Sequence, residues 1–150
     1  MAILSQTAEY ALRVVLHLAA RPDRELARVG ELARELDIPQ NYLSKTMSQL
    51  ARAGVLTSVR GKRGGFALTK APARLTLDEV VVPFEDMGRR HCLLGRRVCS
   101  DRTACEAHAS WRTISDAMAD FFRNTTVADI LERYEHSLEP AQSPGREQRA

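Results

Sequence analysis

Apolar residues at the start of the chain recur at the spacing of an amphipathic helix. Residues 5–20 place Tyr10, Val14 and Leu18 four positions apart, and a serine or threonine at the start can cap the helix. Charged residues interrupt or follow the apolar stretch, which is also too short to cross a membrane or to act as a secretory signal. The pattern therefore predicts a first helix that lays one face on a protein core.

Two further helices follow, separated by a tight break. The second is predicted from Val29 to Leu36, where the sequence Asp37-Ile38-Pro39 interrupts it. The third is predicted from about Gln40 to Ala53, and the next residue is a glycine that can take the positive φ of a helix end. Three apolar residues at i, i+4 and i+7 form its buried face: Leu43, Met47 and Leu50.

The apolar period then changes from helical to strand-like. Two short β-like runs, Val55–Val59 and Phe66–Leu68, are joined by a basic, glycine-rich turn at 60–65, which predicts a hairpin. The sequence from Thr76 to Glu79 is a capping box that begins another helix, and Pro83 kinks or ends it.

The second half of the chain has one irregular segment between helices. Residues 88–105 are rich in Gly, Arg and Cys without periodicity, which predicts a loop. An apolar stripe then predicts a longer helix, and a short final helix starts at Thr126. The polar tail 137–150 is expected to be disordered. The stripe consists of Trp111, Ile114, Met118, Phe121, Phe122 and Thr125.

Together these elements predict a mainly α-helical fold with a small β-hairpin wing. We expect residues 1–82 to form a winged helix-turn-helix domain and residues 83–108 to form an irregular loop. Residues 109–136 are expected to form the longer helix and the short C-terminal helix, ahead of the tail.

Charge is divided unevenly along the chain. Residues 1–75 carry 12 Lys and Arg against 6 Asp and Glu, whereas residues 76–150 carry 10 against 13. No acidic residue lies between Asp37 and Asp78, although seven basic ones do. Such a window favours a polyanionic partner, and a solvated basic face is the alternative that charge alone leaves open.

Combined with the helices and hairpin, this charge pattern indicates double-stranded DNA. The third helix of such a domain enters the major groove, where Asn and Gln can bind adenine and cations bind phosphate. Arginines at the hairpin tip suit a narrow minor groove. The candidate DNA-binding residues are Gln40, Asn41, Ser44, Lys45 and Ser48 on the helix, and Arg60, Lys62 and Arg63 on the wing.

The second candidate site lies in the irregular loop. Cys92, Cys99, Cys105 and His108 supply three thiols and one imidazole, which is a complete ligand set for Zn²⁺ or an iron–sulfur cluster. The paired CxxC spacing of structural zinc sites is absent, and the long intervals favour the larger cluster. Zinc, or cysteines without a metal, stays open as an alternative.

Other classes of function lack support in the sequence. An odd number of cysteines without a secretory signal argues against disulfides and makes the cytoplasm the default compartment. There is no CxxC pair, no Cys–His dyad in a cleft and no paired carboxylates, so the chain is not expected to be an enzyme.

The chain resembles the Rrf2 family of bacterial transcription regulators over about residues 1–135. The resemblance rests on SQTAEYAL at 5–12, on GVL at 54–56, on VRG and GGF at 59–61 and 64–66, and on the three-cysteine loop. Tyr42-Leu43 and the TLDEV sequence at 76–80 complete it.

The family resemblance implies a homodimer that senses iron–sulfur status, iron, nitric oxide or redox state through a cluster in the loop. By this resemblance, Cys92, Cys99, Cys105 and His108 would be the ligands, with either [2Fe–2S] or [4Fe–4S] as the cluster. Glu9 of the partner subunit is the alternative fourth ligand. Residues 1–82 would then be the DNA-binding domain, residues 83–108 the cluster-binding loop, and residues 109–136 the dimerisation helix with the short C-terminal helix. Residues 111–122 would form the dimer seam, and the homodimer would bind a palindromic operator.

These inferences combine into one expectation and one alternative. The chain is expected to be a cytoplasmic transcriptional regulator, usually a repressor, gated by an iron–sulfur cluster. A zinc-stabilised or cluster-free winged-helix DNA-binding protein is the alternative.

Overall fold

The computed structural model describes residues 3–21, 25–85 and 91–137, with side chains described as far as Arg133. Six α-helices and one antiparallel hairpin lie in these ranges. Most of the tail predicted as disordered, 138–150, lies outside the described residues, as do 86–90 of the predicted loop. The elements are α1 Gln6–Ala20, α2 Val29–Glu35, α3 Gln40–Arg52, β1 Leu56–Val59, β2 Gly65–Leu68, α4 Leu77–Val81, α5 His108–Asn124 and α6 Val127–Ser137.

The first three helices form where the apolar spacing predicted them, and no end is shifted by more than one residue. Ser5 caps α1, since its hydroxyl accepts a hydrogen bond from the Ala8 backbone N–H at 3.3 Å. Gly54 follows α3 with a φ of +78°, as expected of a helix-ending glycine. Pro39, the last residue of the predicted break, is the N-cap of α3.

A tight turn joins α2 to α3. Asp37 takes a positive φ of 52° there, which a short polar side chain tolerates better than a β-branched one. The next residue, Ile38, is only 3% exposed and anchors the turn in the core. The three apolar residues predicted for the inner face of α3 are completely buried, which fixes which face of α3 points outward.

The hairpin pairs Leu56 with Leu68 and Val59 with Gly65. A further backbone bridge joins Ala27 to Phe66. The segment before α2 therefore pairs with β2 as a third backbone segment beside the hairpin. The approach is so close that a Cβ at Gly65 would lie 2.7 Å from the Ala27 carbonyl oxygen. A side chain at this position would push that segment away.

The capping box at the start of α4 is present as predicted. The Thr76 hydroxyl accepts from the Glu79 backbone N–H at 3.3 Å, and the Glu79 carboxylate accepts from the Thr76 N–H at 3.2 Å. The helix ends at Val81, before Pro83, which confirms the early end expected from that proline.

The C-terminal helix packs back on the N-terminal helices. Val127 is completely buried, and its backbone N–H donates to the Leu75 carbonyl at 2.8 Å. Helix α6 also runs to Ser137, one residue into the predicted tail. The proposed boundaries between segments stay a prediction, but the core of the first segment includes side chains from α5 and α6.

Helix α5 begins earlier than expected and divides its apolar stripe between two environments. His108, assigned to the end of the loop, is its first residue. Phe122 is buried against the core, whereas Ile114 and Phe121 are 59% and 45% exposed. Within the described ranges, no helix has the length and apolar character needed to span a membrane.

Candidate DNA interface and candidate metal loop

The predicted reading residues lie on the outward side of α3. Gln40, Asn41, Lys45 and Ser48 are exposed, and Ser44 is half-buried. Burial of the opposite side of the helix holds this surface at a fixed orientation to the rest of the domain. Helix α3 contains no acidic residue, and these five outward side chains are all polar, a composition suited to contact with a DNA groove.

Two of these residues hydrogen-bond within the helix. The Ser44 hydroxyl donates to the Gln40 carbonyl and the Ser48 hydroxyl to the Ser44 carbonyl, each at 2.8 Å. Each hydroxyl oxygen retains acceptor capacity in this arrangement. Both serine side chains therefore lie close to the helix backbone, and longer side chains such as Asn41 and Lys45 extend farther from it.

The three basic residues predicted at the wing tip, Arg60, Lys62 and Arg63, are all exposed. The turn that carries them depends on Gly64, where a Cβ would lie 2.1 Å from the Val59 carbonyl oxygen. No side chain fits at this separation. The predicted glycine-rich turn therefore requires glycine at position 64.

Arg28 is a residue that the sequence analysis missed. It occupies the N-cap position of α2 without a side-chain capping bond, and its guanidinium donates to the backbone carbonyl of Lys62 at the wing tip. Its neighbour Ala27 pairs with Phe66 of β2, so two successive residues tie the helix-turn-helix to the wing. The sequence gives only a weak indication of this contact, because Arg28 lies outside the basic window between Asp37 and Asp78.

In the cysteine loop the structure brings the four candidate ligands together as two pairs. The first pair is Cys92 and Cys105, whose sulfur atoms lie 3.8 Å apart. Gly95, with a φ of +71°, makes the turn after Cys92 and donates its N–H to the Cys92 carbonyl at 3.0 Å. All three cysteines of the chain are free thiols and half-buried.

The turn also changes the chemistry of the Cys92 thiol. The backbone N–H of Arg96 hydrogen-bonds to the sulfur and lowers its pKa, helped by the Leu94 N–H, by Cys105 and by the Arg96 charge. Lowering this pKa favours the thiolate, which is the form that binds metal. Arg96 also pairs with Glu106 at 3.5 Å across the loop.

The second pair is Cys99 and His108. The Cys99 sulfur lies 3.6 Å from Nδ1 of His108, and the Asp101 carboxylate lies 2.9 Å from Nε2 of the same ring. His108 is only 7% exposed. Cys99 and His108 thus lie side by side, because the irregular backbone of the loop closes a distance that spacing alone could not predict.

The two pairs do not form one preassembled metal site. Among the residues that the structure describes, no three His, Cys, Asp or Glu side chains lie close enough together to hold a metal ion. The donor set itself, three thiols and one buried imidazole, has the chemistry of a cluster or zinc site. The donors therefore fit such a group chemically, and the loop holds them as two separate pairs.

A hydrogen bond connects this loop to α5. The Trp111 indole N–H donates to the His91 carbonyl at 2.7 Å. His108 itself begins the helix, with its backbone N–H bonded to the Cys105 carbonyl at 2.9 Å. The loop is thus attached to the first turns of α5 by these two hydrogen bonds, and the exposed apolar residues Ile114 and Phe121 follow along the same helix.

Comparison with known proteins places these features in a family. Residues 4–133 match the family model described as Rrf2, an iron-dependent transcriptional regulator. A protein from Aquifex aeolicus (strain VF5), assigned to the HTH-type transcriptional regulators, is 37% identical over 141 residues. That alignment covers 92% of this chain and 97% of the Aquifex protein.

Solved structures show the same fold. CymR, the global cysteine regulator of B. subtilis, superposes with a TM-score of 0.75 at 22% identity, covering 89% of this chain and 98% of CymR. IscR of T. potens gives a TM-score of 0.72 at 19% identity, covering 95% of this chain and 94% of IscR. These likenesses confirm the mainly helical fold with a hairpin wing.

The family match confirms the resemblance found in the sequence. Its members are transcriptional regulators and not enzymes, which agrees with the expectation that this chain has no catalytic function. The chain belongs to the Rrf2 family of transcriptional regulators.

Proposed function

We propose that this regulator is a cytoplasmic homodimer whose binding to a palindromic DNA operator is gated by an iron–sulfur cluster. The observation that carries the proposal is the loop of residues 91–108, which gathers three thiols and an imidazole and runs directly into α5. A loop of this composition has no structural need for its thiols, since it lies in an exposed, arginine-rich segment.

Cys92, Cys99 and Cys105 would hold the cluster, with His108 as the fourth ligand. The buried imidazole beside Cys99 supports His108 for this role. Glu9, the alternative when it comes from the partner subunit, is exposed in the first turn of α1. Either [2Fe–2S] or [4Fe–4S] agrees with this donor set.

A cluster, when bound, supplies a centre that reacts with oxidants and nitric oxide and responds to iron supply. The residues of this chain would transmit its presence through the attachment of the loop to α5. Because Trp111 and His108 fix the loop to α5, the order of the loop and the position of that helix are linked. A coupling free energy of about 1–3 kcal/mol is enough to alter DNA affinity measurably.

The exposed stripe on α5 supports the homodimer. Ile114 and Phe121 are seven residues apart and lie on the same side of the helix, so they form an exposed apolar stripe that a second copy could cover. Pairing two copies along this stripe would set the distance between their two α3 helices. Movement of α5 would then change that distance, and with it the match to a palindromic operator.

In the docked complex, α3 would enter the major groove and the wing the adjacent minor groove. Asn41 and Gln40 would contact base edges, with Ser44, Ser48 and Lys45 beside them at bases and phosphates. Arg60, Lys62 and Arg63 would insert from the wing, where a narrow minor groove attracts arginine. This division separates sequence reading from electrostatic attachment.

The decisive experiment compares the protein with and without the cluster. The chain is purified anaerobically, reconstituted with ferrous iron and sulfide, and characterised by absorbance and Mössbauer spectroscopy. DNA binding is then measured for both forms with duplexes that the protein selects from a randomised pool. The Cys99→Ala variant is expected to lose colour and iron while it stays folded, and Val98→Ala, an exposed neighbour, is the matched control.

Two outcomes would overturn the proposal. Iron and colour that survive in Cys99→Ala would show that the ligand assignment is wrong. An identical DNA affinity of the cluster-loaded and cluster-free forms would show that the cluster does not gate DNA binding.

A cluster-free regulator is the second candidate, favoured by the arrangement of the donors as separate pairs. The Cys92 and Cys105 sulfurs lie 3.8 Å apart, and no third donor of the described residues lies close enough to complete a metal site with them, as in a cluster-free protein. A colourless protein with one equivalent of zinc, or with no metal, after anaerobic purification would favour this candidate.

A further inference from the structure

The imidazole of His108 is held from both sides. Its Nε2 lies 2.9 Å from Oδ1 of Asp101, and its Nδ1 lies 3.6 Å from the Cys99 sulfur. The ring is buried, whereas the Asp101 side chain is 68% exposed. One exposed carboxylate therefore reaches inward to a buried ring.

The carboxylate decides which nitrogen of the ring carries the proton. An ionised carboxylate only accepts hydrogen bonds, so Nε2 must be the donor in this contact. In the neutral imidazole this leaves the lone pair on Nδ1, which is the nitrogen that faces Cys99. The ring thus presents a ligand atom on the same side as the thiol.

Asp101 is itself held in place. Nη1 of Arg112 donates to the same Oδ1 at 2.9 Å. Asp101 starts a short 3₁₀ helix, Asp101–Thr103, which is closed by the Thr103 N–H donating to the Ser100 carbonyl at 3.1 Å. Arg112 lies one turn after His108 on α5, so helix and loop together fix the carboxylate against the ring.

We infer that Asp101, oriented by Arg112, is a positioning residue that holds His108 with Nε2 protonated and Nδ1 turned toward Cys99. The inference rests on the proposed function insofar as Nδ1 is the ligand atom for the cluster. A carboxylate behind a ligating histidine fixes the ring and makes it a better ligand, and loss of such a partner commonly costs 10–100-fold in metal affinity.

The first test uses the metal-free protein, so that it does not depend on the cluster. The imidazole N–H resonances of ¹⁵N-histidine-labelled protein are recorded in water, and His108 is identified with the His108→Gln variant. We expect a protected, hydrogen-bonded Nε2–H in wild type that exchanges rapidly in Asp101→Ala. The matched control is Asp116→Ala, because Asp116 lies 3.7 Å from the same Arg112 and carries the same charge.

The second test uses the cluster-loaded protein. Asp101→Ala is expected to lose iron to a chelator about 10–100-fold faster than wild type, and Asp116→Ala to stay within about twofold of it. Pulsed EPR of the reduced cluster should show changed ¹⁴N couplings from His108 in Asp101→Ala alone. Circular dichroism verifies that each variant is folded, as expected for an exposed side chain.

The outcomes separate this inference from the proposed function. A protected Nδ1–H in wild type, or an unaltered Nε2–H in Asp101→Ala, would overturn the positioning role even where the cluster binds. Wild-type protein that takes up no cluster would overturn the proposed function, while the resonance of the metal-free ring still decides the role of Asp101. Equal iron release from both aspartate variants would refute any effect of Asp101 on the cluster.

Discussion

The guanidinium of Arg28 donates a hydrogen bond to the backbone carbonyl oxygen of Lys62, which ties the start of α2 to the tip of the wing. The two residues are 34 positions apart in the chain. Because Lys62 stands between two candidate DNA-binding arginines, this contact sets the angle at which the wing leaves the helix-turn-helix. The wing is therefore positioned before DNA arrives.

Replacement of Arg28 by Ala should weaken DNA binding by about two- to tenfold, which corresponds to the roughly 0.5–1.5 kcal/mol of a typical hydrogen bond. The free energy of unfolding should fall by no more than about the same 0.5–1.5 kcal/mol, because the side chain is exposed and leaves no cavity. Arg34→Ala is the matched control: it removes the same charge from α2, but Arg34 bonds only its own helix at Gly30 in the described contacts. DNA affinity is measured by fluorescence anisotropy. An equal loss of affinity in both variants would mean that Arg28 acts only through its positive charge.

Asn41 and Arg60 should contribute to DNA binding in different ways. Asn41→Ala should relax sequence preference at one base pair, since Asn can read adenine in bidentate fashion. Arg60→Ala should lower affinity for all sequences and reduce the slope of log K against log[salt] by about 1. Binding to selected and scrambled duplexes over a range of salt concentrations distinguishes the two. Unchanged affinity, slope and preference in both variants would rule out the proposed docking mode.

The two glycines at 30 and 64 should respond to Ala with opposite signs. Gly64→Ala places a Cβ 2.1 Å from the Val59 carbonyl oxygen, so the wing turn must rearrange, at a cost of about 1–3 kcal/mol. Gly30→Ala lies within α2 with its nearest neighbour at 3.6 Å, and should stabilise by about 0.4–1 kcal/mol. Urea unfolding of both variants provides the comparison, and a neutral Gly64→Ala would contradict the described turn.

The homodimer should depend on the exposed apolar stripe of α5. Ile114→Asp is expected to convert the dimer to a monomer and to weaken operator binding, since it introduces a charge where an apolar contact is required. Arg123→Asp is the control, because nine residues along a helix bring a side chain to the opposite side. Sedimentation equilibrium measures the association constant. A dimer that survives Ile114→Asp would place the interface elsewhere.

The fold was predictable from sequence because its signals are local. The apolar spacing of Leu43, Met47 and Leu50 determines the buried face of α3, and Thr76 with Glu79 marks the start of α4 by a contact three residues apart. A second capping pair, Thr126 with Asp129, begins α6 and carries the same kind of signal.

The details of both candidate sites were less predictable because they depend on contacts across irregular backbone. The cysteine loop has no period from which the pairing of Cys92 with Cys105, or of Cys99 with His108, could be read. Asp101 is seven residues from His108, a spacing that has meaning only once the short 3₁₀ helix is known. Arg28 escaped notice for the same reason, because its partner is a backbone carbonyl far along the chain.

Glu79 should link the stability of the domain to pH. Its pKa lies below the ordinary value of 4.5, chiefly because Lys70 hydrogen-bonds to the carboxylate, and then because the Thr76 backbone N–H and hydroxyl do. Since the folded-state pKa is the lower one, the contribution of Glu79 is present above about pH 4.5 and disappears as pH falls through the folded value. Stability should therefore decline on acidification in part through this group.

Glu79→Gln isolates the charge, because Gln retains the capping-box hydrogen bond to the Thr76 N–H. The variant should lose less stability than wild type between about pH 5 and pH 3, measured as the free energy of unfolding in urea. Lys70→Met should flatten the same pH profile, since it removes the main cause of the lowered pKa. The double variant should add little to either single one, because the two side chains act as one pair. Parallel pH profiles for wild type and Glu79→Gln would mean that the ion pair with Lys70 contributes nothing to acid sensitivity, and that the capping bonds alone stabilise the start of α4.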